Sequence, residues 1–551
     1  MDAENRPGFT SELEAPQAAE NGPVALEHAP ADPPPRLAEL ASLIGMLILA
    51  DLAVYRGSGA AYAGWAALFG GAPILLSFAG ARRRPNVGVP LLGAMLILLA
   101  ARLAWCGSLV EQGVGLVLLP CFAVALAGFV PYLTDAFTLT LQIPYHGARA
   151  LAVYLRGLLK IVRFAPATAL AVVIPLAIAA AFCLLFVLAN PDLVKSVSET
   201  LSRFLEQLRD WLVEFSLGES AFLAGVGWIT LALLRGRVAA SRRARQPDAL
   251  SHMGLAASDN SVPQQAETAP RPLYLAWRNT LALVVAIYAV YLVFELGTLW
   301  FRQFPKGFYY SGYAHEGAAW LTVALALATS ILSLIFRGRM LAVPRLDRLK
   351  RLAWIWSVEN LVLAAAVYNR LLIYVGFNGM TPMRILGLYG VSAVVCGFLL
   401  VMVKIARGHD LGWLVQRHLW TLGLAIYLYA ITPLDYLAMR YNVARILRGD
   451  SAPSVQISEH PISTEGLIAL SPLLDARDSL VKSGVAALLD ERRAELESQR
   501  AASDHWTAYQ MADRLFLDWM NRLPPSTTRF ADKNSRRAAW LQFKTYAYQW
   551  Y

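Results

Sequence analysis

LAWIWSVENLVLAAAVYNRLLIYVGFNGMTPMRILGLYGVSAVVCGFLLVMVK (Leu352–Lys404) decides what kind of molecule this is. Two apolar runs, about Leu352–Val375 and Ile385–Val403, flank the polar turn YVGFNGMTPMR (Tyr374–Arg384). Each run is long enough to cross roughly 30 Å of hydrocarbon as a helix. In lipid the backbone must satisfy its own hydrogen bonds, so such runs fold as helices. The first run nevertheless carries Glu359, Asn360, Asn369 and Arg370. Upstream, FPKGFYYSGYAHEGAAWL (Phe304–Leu321) joins two further apolar runs. Residues from about Leu273 to Lys404 therefore read as four spans, and they hold most of the polar residues found inside apolar sequence.

The pattern extends outward. The 551 residues are 57% apolar and only 16% charged, with a mean hydropathy of +0.45; soluble domains carry roughly a quarter charged residues. Spans are predicted at about Leu37–Tyr55, Ala60–Gly80, Val87–Cys106, Gly113–Leu133, Ala167–Ala189 and Ala221–Leu234. Five more follow at about Leu275–Leu299, Ala318–Phe336, Leu352–Val375, Ile385–Val403 and Leu414–Ile431. The expected fold class is all-α: a polytopic helical membrane protein with about eleven transmembrane helices and a C-terminal soluble helical segment.

Residues 1–36 are acidic and rich in Pro and Ala, and read as a disordered tail without the basic start and short apolar core of a signal peptide. Residues 37–234 form an N-terminal membrane half, 235–272 a disordered cytoplasmic linker, 273–433 a C-terminal membrane half and 434–551 the helical segment. Two amphipathic helices are expected in the first half, over 146–164 and 190–217. The first gathers Arg149, Arg156, Lys160 and Arg163 on one face. It suits the surface of an anionic leaflet, or equally a connector packed on the bundle. In the C-terminal segment, aromatic stripes such as Phe516, Trp519 and Met520, then Trp540, Phe543 and Tyr546, suggest a helical core.

The net charge of +10 does not point to nucleic acid, because the excess Arg and Lys lie in short alternate loops. That arrangement encodes orientation. It places the N-terminus in the cytoplasm and, with an odd span count, the C-terminus outside it. The four cysteines all fall in apolar runs without metal-ligand spacing and read as small buried hydrophobes.

An ionisable group inside a span costs several kcal/mol unless it is paired. Glu295, His315, Glu316, Asn369, Arg370 and Arg384 are expected at one depth, near the outer ends of four spans. Glu359 lies eleven positions before Arg370, about 16 Å deeper on nearly the same face, within reach of Arg278 or Asn279. Two readings stand open: a polar cavity facing outward, or ion pairs that fix helix packing. HExxH, GxSxG and GxxxxGK[ST] are absent, and the loop after the first span, RGSGAAY (Arg56–Tyr62), has no acid. No catalytic residue, metal or cofactor is assigned. His315-Glu316 is the only His–carboxylate neighbour pair in the polar loop.

SGYAHEGAAWL (Ser311–Leu321), LIYVGFNGMTPMR (Leu372–Arg384) and LDYLAMRYNVAR (Leu434–Arg445) resemble the bacterial polytopic membrane proteins of domain-of-unknown-function family 4153 and its sibling 4173. In that pattern Tyr313, Ala314 and Gly317 open one span, Tyr374, Gly379, Thr381 and Arg384 join two others, and Arg440, Tyr441 and Asn442 follow the last. The resemblance covers about Leu273–Leu523 and implies a bacterial cytoplasmic (inner) membrane protein of no established activity. His315-Glu316 stands where siblings often carry other polar residues. Three functions remain in view. The first is a non-enzymatic envelope anchor, sensor or scaffold whose C-terminal helices bind an envelope protein. The second is a transporter or lipid-handling protein with a site among spans seven to ten. The third is an intramembrane enzyme. The expected partners are the lipid bilayer, anionic lipids at 146–164 and an envelope protein, with no nucleic acid.

Overall fold

A computed structural model describes residues 36–80, 87–161, 202–203, 206, 216–235, 271–297, 310–336, 346–502, 505–524 and 530–550. Every regular element among them is helical. The first group is α1 (Leu37–Ala50, continued by a π-helical turn Asp51–Tyr55), α2 (Tyr62–Gly80), α3 (Gly88–Cys106), α4 (Leu109–Leu126), α5 (Leu133–Leu141), α6 (Ile143–Ile161) and α7 (Leu217–Arg235). The second is α8 (Arg271–Glu295), α9 (Tyr310–Ile335), α10 (Leu346–Asn378), α11 (Pro382–Arg407) and α12 (Leu411–Ile431). The chain then continues through α13 (Leu434–Leu447), α14 (Ser454–Glu459), α15 (Thr464–Ala469), α16 (Ser479–Ala502), α17 (Met511–Arg522) and α18 (Lys533–Tyr548).

Eight of these helices are long and apolar enough to cross a membrane: α1, α2, α3, α4, α7, α8, α10 and α11. A ninth results if α12 and α13, bent by 64° at their junction, are one broken span. The apolar part of α9, Ala319–Ile335, is shorter. The expected span Ala167–Ala189, nearly all of the amphipathic stretch 190–217, tail residues 1–35 and linker residues 236–270 lie outside the described residues. Span four starts earlier than expected. Ser108 and Glu111 form a capping box that opens α4 at Leu109 rather than Gly113, and α4 ends at Leu126. Such a box satisfies backbone N–H groups that the first helical turn leaves orphaned. α8 begins at Arg271, two residues inside the expected linker. At 33 residues α10 is about 50 Å long, more than a bilayer needs.

The spans turn apolar side chains both ways. Phe69, Leu96, Leu99 and Phe122 are buried between α2, α3 and α4, while Ile44, Ile48, Ile97 and Leu98 point outward where lipid replaces water. A second core joins α8 to α12 through Leu281, Leu325, Trp356, Phe398 and Leu414. α12 belongs to both groups: Tyr427 and Ala430 are buried in the first core, and the Tyr427 hydroxyl donates to the Met95 carbonyl at 3.1 Å. The two halves thus pack together, which composition alone left open. A third core fills the C-terminal helices with Val481, Val485, Leu489, Phe516 and Phe543, and reaches Ile385 of α11.

The two ends of α1 mark two faces, about 27 Å apart over its nineteen residues. At its start Glu39 accepts from Arg235 of α7 at 2.7 Å and from the Tyr154 hydroxyl of α6 at 2.8 Å. At its end the Tyr55 hydroxyl lies 3.0 Å from the Ser216 hydroxyl, and Arg56 pairs with Glu219 at 2.8 Å. α6 is seated on the bundle through Ala150 and Tyr154 against Leu231 and Leu43. Its Leu151 and Leu155 are exposed, and the side chains of Lys160 and Arg163 lie outside the described residues.

α1 and α2 cross so closely that a methyl group at Gly64 would sit 1.8 Å from the Ala53 carbonyl oxygen. Gly64→Ala should therefore lower the thermal midpoint of the detergent-solubilised protein, at a cost of about 3 kcal/mol. Gly225→Ala, which opens into free space on α7, should leave that midpoint unchanged.

Candidate functional site

The polar residues inside the spans are brought together in two distinct arrangements. Glu295, in the last turn of α8, meets Arg370 of α10. The guanidinium donates through Nε to Oε1 at 2.8 Å and through Nη2 to Oε2 at 2.5 Å. Tyr291, one turn earlier on α8, donates its hydroxyl to Glu295 Oε2 at 2.9 Å. Glu295 and Arg370 are 1% and 4% exposed. A two-point guanidinium–carboxylate pair of this kind fixes the rotation of both helices. Asn369 is half-buried, and its side chain makes no hydrogen bond among the described residues. Tyr313, His315, Glu316 and Gly317 lie in the first turns of α9, and their side chains fall outside the described residues.

Glu359 does not reach Arg278 or Asn279. α8 and α10 run parallel, and the Glu295–Arg370 pairing offsets them by 75 residues. That register sets Arg278 beside residue 353, roughly 9 Å along the axis from Glu359. Arg278 donates instead to its neighbour Asn279 at 2.9 Å. Glu359 lies near Tyr288, whose ring packs edge-on against Trp356 at 5.6 Å. One Glu359 carboxyl oxygen, the Trp356 indole nitrogen and the Asn360 amide oxygen have no hydrogen-bond partner among the described residues.

Arg384 belongs to the second arrangement, the turn between α10 and α11. Gly379 has φ of +89°, and a Cβ there would meet Asn442 Oδ1 at 2.6 Å. Only glycine fits such a site without strain. The Asn442 side chain, from α13, accepts from the Met380 N–H at 2.7 Å and donates to the Met380 carbonyl at 2.8 Å. Thr381 caps α11. Arg384 donates to the Gly379 carbonyl and stacks over the Tyr374 ring at 3.8 Å. Arg445 closes the end of α10 by donating to the carbonyls of Val375 and Gly376 at 2.8 and 2.6 Å. Tyr374, Gly379, Thr381, Arg384 and Asn442 thus form one clamp, whereas Arg440 is exposed.

One arrangement was not anticipated. Arg102, near the end of α3, donates through both terminal nitrogens to Glu465 of α15, each at 2.7 Å. The Trp105 indole donates to the same carboxylate at 3.1 Å, and Glu111 lies 3.8 Å from Arg102 Nε. A cavity of about 170 Å³ opens beside the pair, lined among others by Cys106, Tyr429, Thr432 and Asp435. Burial raises the Glu465 carboxyl above its ordinary value, against the lowering by Arg102. The signal in the sequence was Arg102 itself. A cation one turn from the end of an apolar span either stretches to the interface or meets an acid at that face. Glu465, in a short polar helix, carries no pattern that marks it as that acid.

The same face collects further joints. The Ser58 N–H donates to Thr507 Oγ1 at 2.9 Å, and the Gly107 N–H to Gln510 Oε1 at 3.1 Å. Together with the Gly379 clamp they tie the turns after α1, α3 and α10 to the C-terminal helices. Among the described residues no group of three or more His, Cys, Asp or Glu side chains is arranged to hold a metal ion.

A family model described as "Domain of unknown function (DUF4153)" matches residues 71–471. No curated protein and no solved structure matches the chain.

Arg370→Ala leaves Glu295 buried and unpaired, and should cost about 3–5 kcal/mol of stability in thermal unfolding. The double variant Glu295→Leu/Arg370→Met should recover most of that loss. Arg102→Ala should loosen the C-terminal helices selectively: limited proteolysis should cut after Leu447 faster, with the membrane helices left intact.

Proposed function

The chain belongs to the DUF4153 family, and on that footing we propose that it is a non-enzymatic multi-pass membrane scaffold that holds a helical platform on one face of the bilayer. The observation that carries this reading is the Arg102–Glu465 pair, which joins the N-terminal membrane half to the C-terminal helices at 2.7 Å through two bonds. The joints at Thr507, Gln510 and Asn442 support it. A platform fastened at four separated points is suited to present a surface rather than to move as a tethered domain.

In this reading the protein sits in a bacterial cytoplasmic membrane with its N-terminus inside and the platform outside, on about eleven spans. The positions of Tyr154 and Ser216 support one of these spans, Ala167–Ala189, since they lie at opposite ends of α1 and so on opposite faces of the bundle. The partner would be an envelope protein, met through exposed apolar residues of α18 such as Leu541 and Tyr548. Arg156, exposed on α6, would face anionic lipid on the other side.

A transport reading draws on one observation: among the described residues, one oxygen of Glu359 and the neighbouring polar atoms of Trp356 and Asn360 have no hydrogen-bond partner. Unpaired ionisable groups at that depth commonly line ion or proton paths.

Alkaline phosphatase fused after Tyr551 should be active, and the same enzyme inserted within residues 337–345, between α9 and α10, should be inactive. An inactive C-terminal fusion with an inactive control would place the platform in the cytoplasm and overturn the envelope partner.

A further inference from the structure

A cleft of about 510 Å³ separates the Ser58–Tyr62 turn from the corner between α16 and α17. We infer that this cleft binds the phosphate headgroup of an anionic phospholipid in the adjoining leaflet, with Arg500 as its main phosphate ligand. The inference rests on α1 to α4 being spans, and not on which side of the membrane they end.

Depth comes first. The Ser58 and Gly107 N–H groups, in the turns joining α1 to α2 and α3 to α4, donate to Thr507 and Gln510. Turns between adjacent spans lie at the boundary of hydrocarbon and water, and the cleft between them and α17 lies at that level.

Charge comes second. Arg492, Arg500, Arg514 and Asp513 all line the cleft. Arg492 is spent within the protein: it donates to Thr464 at 3.1 Å and pairs with Glu495 at 2.7 Å and Asp513 at 3.4 Å. Arg492 is shared between two carboxylates, and the four charged residues that line the cleft sum to +2. Arg514 approaches Asp518 only at 4.0 Å, with both side chains more than half exposed, so the pair is weak. Arg500 makes no ion pair or hydrogen bond among the described residues. Arg514 also lies against the Tyr509 hydroxyl, so Arg500 is the guanidinium left over, with the remaining donors of Arg514 beside it, and such a group grips phosphate oxygens in pairs.

The third element is apolar. Trp506 and Tyr509, which also line the cleft, are 50% and 39% exposed, and Met511 and Leu515 beside them are each 46% exposed. An indole and a phenol at headgroup depth, with apolar side chains next to them, are the anchors expected of a surface that dips into a leaflet. A dissolved anion would need the guanidinium groups but not this apolar rim. The volume suits one headgroup, within the range of about 300–1,000 Å³ that ligand pockets occupy.

The test uses the full-length protein in nanodiscs with photoactivatable phosphatidylglycerol or phosphatidylcholine, followed by peptide mapping. Phosphatidylglycerol should label the peptide His505–Arg514 about fivefold more strongly than phosphatidylcholine, the weight of one cation at an anionic surface. Arg500→Gln should abolish the difference without moving the thermal midpoint, because Arg500 is exposed and unpaired among the described residues. Trp506→Ala should reduce labelling by both lipids. Equal labelling by the two lipids, or labelling indifferent to Arg500→Gln, would overturn the assignment. Displacement of the lipid probe by millimolar inorganic phosphate would identify a free-anion site and overturn it as well.

Discussion

A guanidinium or carboxylate inside hydrocarbon costs several kcal/mol unless an opposite charge lies against it. Three pairings that meet this demand tie separate parts of the chain together. Glu39 with Arg235 locks α1 to α7, both 6% exposed or less at the side chain. Arg102 with Glu465 locks α3 to the C-terminal helices, and Glu295 with Arg370 locks α8 to α10. Packing between apolar helices is weakly directional in lipid, because tails are as apolar as leucine. Paired charges supply the direction that burial of area cannot. Each sets a rotation and a height, and apolar contacts fill in around them.

The turn at Gly379 shows the same economy with neutral groups. Its backbone could hydrogen-bond water in a soluble protein, but here Asn442 takes both the N–H and the carbonyl of Met380, and Arg445 takes the carbonyls that end α10. The clamp draws α13 against the α10–α11 turn just after the 64° bend from α12. The bend turns the chain off the bundle axis and starts the platform there.

Apolar run length made the helices legible, because span formation depends on local composition. Leu37–Tyr55 and Gly88–Cys106 fall within a residue or two of their expected bounds. Boundaries set by caps were harder: Ser108 and Glu111 begin α4 four residues before the apolar count suggested. Among site residues, Glu295 and Arg370 were read at a common depth, and they meet. Depth alone matches Glu359 to Arg278 or Asn279, and the parallel register of α8 and α10 separates them. Arg384, read with the membrane carboxylates, belongs to a turn held by α13. Glu465 was invisible as a partner because its pairing depends on how the platform folds back, which no local pattern encodes. The aromatic stripes divide for a similar reason: Phe516 and Phe543 are fully buried, while Trp506 and Tyr509 remain outside the core.

The Arg102–Glu465 joint has a consequence for biogenesis. Its partners are 363 positions apart, so at about 5–20 residues per second the ribosome delivers Glu465 roughly 20–70 s after Arg102. During that interval α3 must enter the bilayer with its arginine unpartnered by Glu465. Its place, four residues before the end of α3, makes this tolerable, since a long side chain near a helix end can stretch its charge to the interface. The arginine then waits at the surface as a landing mark. Closure of the joint therefore waits for Glu465 to be made, and a chain truncated before Glu465 would leave Arg102 with Glu111 as its remaining carboxylate.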